Sequence, residues 1–134
     1  MNTLKTLVCA LTLGAVTMVA TAPAQAAGDA AAGKAFYEKV YSGNDYAQSA
    51  GVNAVGCVSC HQTNPKQNTR HVKTGNESGP MAASAGWRDP DTNQPRYADS
   101  QKTEKWFKRN CNGVLGRECT AQEKDDFIAY MKSQ

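Results

Sequence analysis

The sequence predicts a small all-α domain of about three to four helices. Three segments, at residues 29–41, 100–110 and 120–133, combine helical apolar spacing with helix-capping residues. No segment alternates polar and apolar residues as a half-buried strand does. We therefore expect short helices joined by polar loops, and we exclude an enzyme fold built around a large sheet.

Each predicted helix has a recognisable N-terminus. Asp29 is a good N-cap for the first helix, in which Gly33 and Phe36 lie on one face. Asp99 or the residue after it caps the second helix. Residues 120–123 (Thr-Ala-Gln-Glu) form a capping box, which opens the terminal helix.

The N-terminal 26 residues are typical of a bacterial secretory signal. Lys5 supplies the positive start, residues 7–20 are apolar, and residues 24–26 (Ala-Gln-Ala) match a cleavage site. The apolar run is too short to span a bilayer. We expect export to the periplasm and one mature domain, at residues 27–134.

The mature segment has too few large apolar residues for an ordinary core. Only 11 of its 108 residues are Val, Leu, Ile or Phe, and so low a share is often a sign of disorder. The balance of 14 basic and 12 acidic residues argues against disorder, which needs a large net charge, and against nucleic-acid binding. A small domain of this kind needs a disulfide, a metal or a cofactor.

A C-x-x-C-H motif identifies that cofactor. Cys57 and Cys60 have the spacing for thioether bonds to the two vinyl groups of one haem, and His61 follows directly as the proximal iron ligand. The sequence therefore predicts one covalently attached haem c. The long polar segment at residues 62–98 then makes sense as a loop that wraps the cofactor.

Two alternative interpretations of these cysteines are a redox dithiol and a zinc site. A redox dithiol needs a βαβ context, which the sequence lacks. A four-cysteine zinc site would add Cys111 and Cys119, but these are separated by seven residues instead of the usual two to four. In an oxidising compartment, a disulfide between these two cysteines is the default and two free thiols the alternative.

The helices and the C-x-x-C-H motif together resemble class I cytochrome c. In that family the terminal helices cross at a small residue, which implies that Gly33 and Phe36 meet Phe127 or Tyr130.

The resemblance also implies haem contacts in the long loop. The Gly-Pro pair at residues 79–80 is similar to the family's loop in which a proline carbonyl accepts a hydrogen bond from the proximal histidine. Pro80 would then bind the Nδ1–H of His61 and tune its basicity. Met81 and Trp106 are expected to pack against the haem.

The sixth iron ligand decides the function, and spacing alone leaves it open. His71 reads as a solvated loop residue. Met81 follows His61 sooner than the methionine ligand of class I cytochromes does, and Met131 lies on the terminal helix, where a core role is expected.

The C-terminal third closely resembles the sphaeroides haem protein family, whose members are oxygen-binding, high-spin relatives of class I cytochrome c. The pattern W-x-x-R-N-C-N-x-x-x-G-R-x-C-T-x-x-E-K is matched at every fixed position by residues 106–112 (WFKRNCN) and 116–124 (GRECTAQEK), and residues 73–75 and Glu77 agree as well. The chain departs from the family at Met81 and at residues 86–95, which look like an insertion.

This resemblance implies that Asn110 ligates the oxidised iron, leaves on reduction and opens a site for O2, NO or CO. An amide is a weak neutral ligand, and the Cys111–Cys119 disulfide would hold its backbone near the iron. Asn110 as a simple helix cap is the alternative, and Asn112 is a competitor for the ligand role.

Three function classes follow. The first is a ligand-binding haem protein, and the second is an electron carrier with Met81 or His71 on iron. The third is an oxygen- or NO-consuming enzyme, for which no acid–base pair is visible. The resemblance implies electron delivery by a dihaem cytochrome c and a membrane cytochrome b. Three lysines are candidates for steering an acidic partner, although a solvated surface is the simpler interpretation: Lys34, Lys66 and Lys73.

Overall fold

The computed structural model describes residues 27–134, and the predicted signal at residues 1–26 lies outside the described residues. The α-helices of this part are Ala30–Glu38 (α1), Asp45–Ser49 (α2), Val58–His61 (α3), Ala83–Gly86 (α4), Ser100–Asn110 (α5) and Ala121–Lys132 (α6). A 3-10 turn lies at Arg96–Ala98, and a π-helical turn at Cys111–Leu115.

The three predicted helices are confirmed. Asp29 caps α1 by accepting a hydrogen bond from the amide of Ala31 at 2.7 Å, and Asp99 caps α5. Thr120 forms the capping box of α6 with Glu123. The first helix ends three residues earlier than predicted, because the chain becomes extended from Lys39 onward.

Four short strands were not predicted. Tyr41–Ser42 (β1) pairs antiparallel with Ala54–Val55 (β2), and Thr69–Arg70 (β3) pairs with Glu77–Ser78 (β4). Each strand has two residues, too few for an alternating pattern to appear in the sequence. The all-α class is still correct, since these pairs only close the loops before and after α3.

The terminal helices α1 and α6 cross at Gly33, as predicted. A Cβ built on Gly33 would collide with the backbone carbonyl of Asp126 and would lie 2.8 Å from the Cβ of Tyr130. The fully buried aromatic ring at the crossing is Tyr37, whereas Phe36 is partly buried and packs against the same core cluster. The physical reason is helical spacing, because position 37 lies one turn beyond position 33 on the same face.

The buried core lies between α1, α5 and α6. Phe107 of α5 meets Phe127 of α6 edge-on, with ring centroids 5.6 Å apart. The buried cluster as a whole consists of Tyr37, Phe107, Cys111, Leu115, Cys119, Phe127, Tyr130 and Met131. This is a small core for the chain length, in agreement with the composition.

The segment at residues 86–95 is an ordered hairpin. Asp89 forms an ion pair with Lys102 of α5, in which Oδ2 and Nζ are 2.9 Å apart. This pair connects the hairpin to α5. The guanidinium of Arg96 lies between the rings of Trp87 and Trp106, 4.7 and 5.4 Å from their centroids. These contacts hold the predicted insertion on the surface beside α5.

Candidate functional site

The haem-attachment motif forms the single helical turn α3. Cys57 precedes the turn, and its carbonyl accepts a hydrogen bond from the amide of His61 at 2.9 Å. Both Cys57 and Cys60 have free thiols. Burial raises the pKa of the Cys57 thiol to about 11.

Tyr37 connects this turn to the terminal helices. Its hydroxyl donates to the carbonyl oxygens of His61 at 2.8 Å and Gln62 at 2.6 Å. Gln62, which ends the turn, has a positive φ of 60°, a backbone conformation that is uncommon for residues other than glycine. Burial raises the pKa of Tyr37, which keeps its hydroxyl a donor. Sequence reasoning missed this residue, although its spacing from Gly33 was a usable signal.

The hydrogen bond predicted between His61 and Pro80 is not present. Within residues 27–134, the buried Nδ1 of His61 has no hydrogen-bond partner. The carbonyl of Pro80 accepts from the amide of Ala83 at 3.2 Å, because this residue opens the turn that leads into α4. Burial, and secondarily the charge of His71, lowers the pKa of His61, so the ring is neutral and able to bind a metal.

These features fit a covalently attached haem. Two free thiols three positions apart have the spacing for thioether bonds to the two vinyl groups of one haem, and a half-buried histidine directly follows the second thiol. Partly buried apolar side chains from several elements pack against the core cluster and would be available to contact a porphyrin: Val58, Met81, Ala85, Tyr97, Val114 and Ile128.

The ring of His71 is held in place by hydrogen bonds to neighbouring residues. Its Nδ1 accepts from the backbone amides of Lys73 and Thr74 at 3.3 and 3.1 Å, and its Nε2 lies 3.0 Å from the hydroxyl of Tyr46. The predicted solvated loop residue is therefore a half-buried one. Both ring nitrogens are already used in this arrangement.

The other candidates differ in burial. Met131 is fully buried, as predicted for a core residue, whereas Met81 is partly buried against the core cluster. Trp106 is 52 % exposed and lies against Arg96. Its predicted contact with haem, like that of Met81, stays a prediction.

Asn110 is the last residue of α5 and directly precedes the disulfide between Cys111 and Cys119. The Cα atoms of the two cysteines are 5.7 Å apart. Because their sulfurs are bonded to each other, these cysteines cannot be ligands of the four-cysteine zinc site. Within residues 27–134, the exposed amides of Asn110 and Asn112 make no hydrogen bond. Both amides are therefore available as ligands.

The loop that the disulfide closes, residues 111–119, begins with the π-helical turn Cys111–Leu115. Such turns are rare and often lie at functional sites. Three side chains hold the loop in place: Asn44, which sequence reasoning did not single out, and Arg117 and Glu123, which are fixed positions of the matched pattern. The amide of Asn44 donates to the carbonyl of Val114 at 2.9 Å, and Arg117 pairs with Glu123.

The relationship of the chain to known proteins agrees with this site. A family model described as a domain of unknown function, DUF1924, matches residues 23–131. The chain belongs to the DUF1924 family. This DUF1924 protein is 35% identical over 113 residues to the cytochrome c-type protein SHP of Cereibacter sphaeroides, covering 84% of this chain and 77% of SHP.

Two solved structures are similar to this DUF1924 protein. Oxidised SHP, an oxygen-binding cytochrome c, has a TM-score of 0.58 at 34% identity, over 80% of this chain and 83% of SHP. The solution structure of cytochrome c'' from Methylophilus methylotrophus, which gives insights into haem-ligand detachment, has a TM-score of 0.54 at 31% identity, over 76% and 72% of the two chains.

These relationships confirm the helical cytochrome c fold and the cofactor of this DUF1924 protein. Like its c-type cytochrome relatives, it carries covalently attached haem c. Cys57 and Cys60, which are not disulfide-bonded, and His61 directly after them are the residues that would hold it. No helix within residues 27–134 is both long and apolar enough to cross a membrane.

Proposed function

We propose that this protein is a periplasmic monohaem c-type cytochrome that accepts electrons and binds a diatomic ligand such as O2 or NO. In this proposal, His61 is the permanent axial ligand and Asn110 is a labile sixth ligand. Asn110 binds the ferric iron and leaves on reduction. When bound, the haem supplies a one-electron couple and one exchangeable coordination position on iron.

The placement of Asn110 is the observation that supports this proposal. Asn110 is the last residue of α5, and the next residue, Cys111, is disulfide-bonded. The side-chain amide of Asn110 has no hydrogen-bond partner within residues 27–134. A neutral amide interacts more strongly with the ferric ion than with the less charged ferrous ion. Reduction therefore weakens its binding, which is what a labile ligand requires.

The sphaeroides protein gives further support, since the SHP structure is that of an oxygen-binding cytochrome c. The resemblance at residues 106–124 covers the segment that contains Asn110. Once released, the amide of Asn110 would be free to donate a hydrogen bond to a diatomic ligand.

An ordinary electron carrier is the competing function. It needs His71 or Met81 on iron. The contacts of His71 disfavour the first choice, because ligation would break its hydrogen bond to Tyr46 or those to the amides of Lys73 and Thr74. Met81 is the remaining competitor, since its side chain is partly buried against the core.

Absorption spectra in both oxidation states test the proposal. We expect a six-coordinate ferric form and a five-coordinate ferrous form that binds CO rapidly. Asn110→Ala should retain haem and fold but lose the ferric sixth ligand, whereas Asn112→Ala, the matched control two residues away, should keep it. A low-spin ferrous spectrum, with the Met–iron charge-transfer band in the ferric form, would show that Met81 is the ligand.

The proposed electron donor is another cytochrome, a dihaem cytochrome c or a membrane cytochrome b. Exposed lysines give the surface positive charge that would attract an acidic partner, and Lys34 is 58 % exposed in spite of its pairing with Glu38 at 3.8 Å. Reduction by a candidate donor that slows at high salt is the expected behaviour.

A further inference from the structure

Arg117 joins three separate parts of the chain. Its two terminal nitrogens donate to the two carboxylate oxygens of Glu123, at 2.8 and 2.6 Å. The second nitrogen also donates to the hydroxyl of Tyr41 at 3.0 Å, and the guanidinium lies 5.4 Å from the centre of that ring. One side chain thus connects the loop at residues 111–119 with α6 and with β1.

This connection reaches Asn110 through the disulfide. Glu123 is the acidic member of the capping box of α6, so Arg117 binds a carboxylate that Thr120 already orients. Cys119 lies between Arg117 and Thr120, and is therefore held on both sides. The disulfide passes this restraint to Cys111, the residue after Asn110.

The opposite side of the loop has its own restraint. Asn44 donates to the carbonyl of Val114 at 2.9 Å while its side-chain oxygen caps α2 by accepting from Ala47 at 2.8 Å. The loop is therefore bound to the N-terminal half of the chain at Asn44 and Tyr41, and to α6 at Glu123. Its backbone has little freedom to move when the side chain of Asn110 changes its contacts.

We propose that Arg117 is a positioning residue, which sets the strength of Asn110 as an iron ligand by restraining the loop that follows it. This inference rests on the proposed function and deepens it. The side chain of Asn110 swings on and off the iron while its backbone stays in place.

Preorganisation is the physical reason. A weak ligand binds usefully only if little conformational entropy is lost when it binds, so a restrained backbone strengthens the bond without a new contact to iron. Without Arg117, the loop samples more conformations and Asn110 spends less time on the ferric ion. The effect is moderate, because the side chains of Arg117 and Glu123 are 38% and 25% exposed.

The test compares Arg117→Gln with Arg109→Gln in the haem-loaded protein. Arg109 is a matched control: it is adjacent to Asn110, is exposed, and makes no ion pair within residues 27–134. Azide titrated into the ferric form competes with Asn110, whereas CO binding to the ferrous form meets no Asn110 on iron. We expect Arg117→Gln to raise the apparent azide affinity roughly fivefold, as about 1 kcal/mol would, and to leave the CO association rate and the Arg109→Gln values unchanged.

A double mutant separates positioning from general loosening. In an Asn110→Ala background, Arg117→Gln should have no further effect on azide affinity. A fivefold effect that persists there, or an Arg117→Gln protein that binds azide as the wild type does, overturns the inference. If Asn110→Ala alone leaves the ferric spectrum unchanged, the proposed function itself fails, and the inference falls with it.

Glu123→Gln provides a second variant if Arg117→Gln incorporates haem poorly. Glutamine keeps the capping box, so α6 retains its start, but it removes the charge that Arg117 binds. The same rise in azide affinity is expected, in the same direction. An unchanged affinity in this variant counts against the role of Arg117.

Discussion

Gly33 of α1 lies in direct contact with the backbone of Asp126 in α6. The contact depends on the missing side chain, because a Cβ on Gly33 would overlap the carbonyl oxygen of Asp126 and lie 2.8 Å from the Cβ of Tyr130. One turn further along α1, the hydroxyl of Tyr37 donates a hydrogen bond to the carbonyl of His61. The helix crossing and the haem-attachment turn are therefore connected through the side chain of Tyr37.

Gly33→Ala should destabilise the protein. Forcing a methyl group into this contact costs about 1–3 kcal/mol, more than the gain of about 1 kcal/mol in helix propensity. Urea unfolding of the haem-loaded protein measures the difference. Gly86→Ala in α4 is the control, since a Cβ there meets nothing within 4 Å, and it should leave stability unchanged or slightly raised. A Gly33→Ala protein as stable as wild type would contradict the close packing.

We expect the cofactor to be needed for folding, because the buried core is small. A chain with Cys57→Ser and Cys60→Ser cannot form thioethers, and only a small buried cluster around Tyr37, Phe127 and Met131 then remains. We expect residues 27–134 of this variant to show the circular dichroism of a largely unfolded chain, with little protection from hydrogen exchange. A cooperative thermal transition in the haem-free variant would show that the protein core is sufficient.

Local signals predicted the parts of the fold that local chemistry determines. The helix at residues 100–110 was predicted with its observed bounds, because Asp99 caps it and no proline or glycine interrupts it. The capping box at Thr120 and the small residue Gly33 were likewise readable from spacing alone.

Contacts between distant segments were not predictable in this way. No local pattern around Tyr46 predicts its hydrogen bond to His71, which lies 25 positions later. No local pattern around Arg117 predicts its hydrogen bond to Tyr41. Phe36 was expected at the helix crossing and Tyr37 was not considered, but the hydroxyl of Tyr37 has two carbonyl acceptors in the folded chain. Burial of a polar side chain is decided by such partners, which only the fold brings together.

Removal of the disulfide should weaken the protein and its sixth ligand together. A bond closing a loop of this size contributes about 2.6 kcal/mol by the chain-entropy model. We expect Cys111→Ser with Cys119→Ser to retain haem and the helices, but to have a lower urea midpoint and a larger high-spin ferric fraction, because the backbone of Asn110 is no longer held. A ferric spectrum identical to wild type would show that the disulfide has no part in ligation.

The pair of Arg117 and Glu123 predicts a pH dependence of stability. The hydrogen bonds from Arg117 lower the pKa of Glu123 from its ordinary value of 4.5. A carboxyl with a lower pKa in the folded state stabilises the fold above its unfolded pKa, and this contribution is lost as pH falls through the folded pKa. The difference in unfolding free energy between wild type and Arg117→Gln should therefore be largest near neutral pH and shrink below about pH 4.5.

Urea unfolding at a series of pH values down to about 3 measures this difference. Lys34→Gln is the control, since it removes the same charge from an exposed pair whose atoms are 3.8 Å apart. Because that pair is longer and more exposed, its variant should follow the wild-type profile closely at every pH. An Arg117→Gln profile that stays parallel to wild type through the acid range would mean that Arg117 does not change the pKa of Glu123 in the folded state, and that it is not the effective partner of Glu123 in solution.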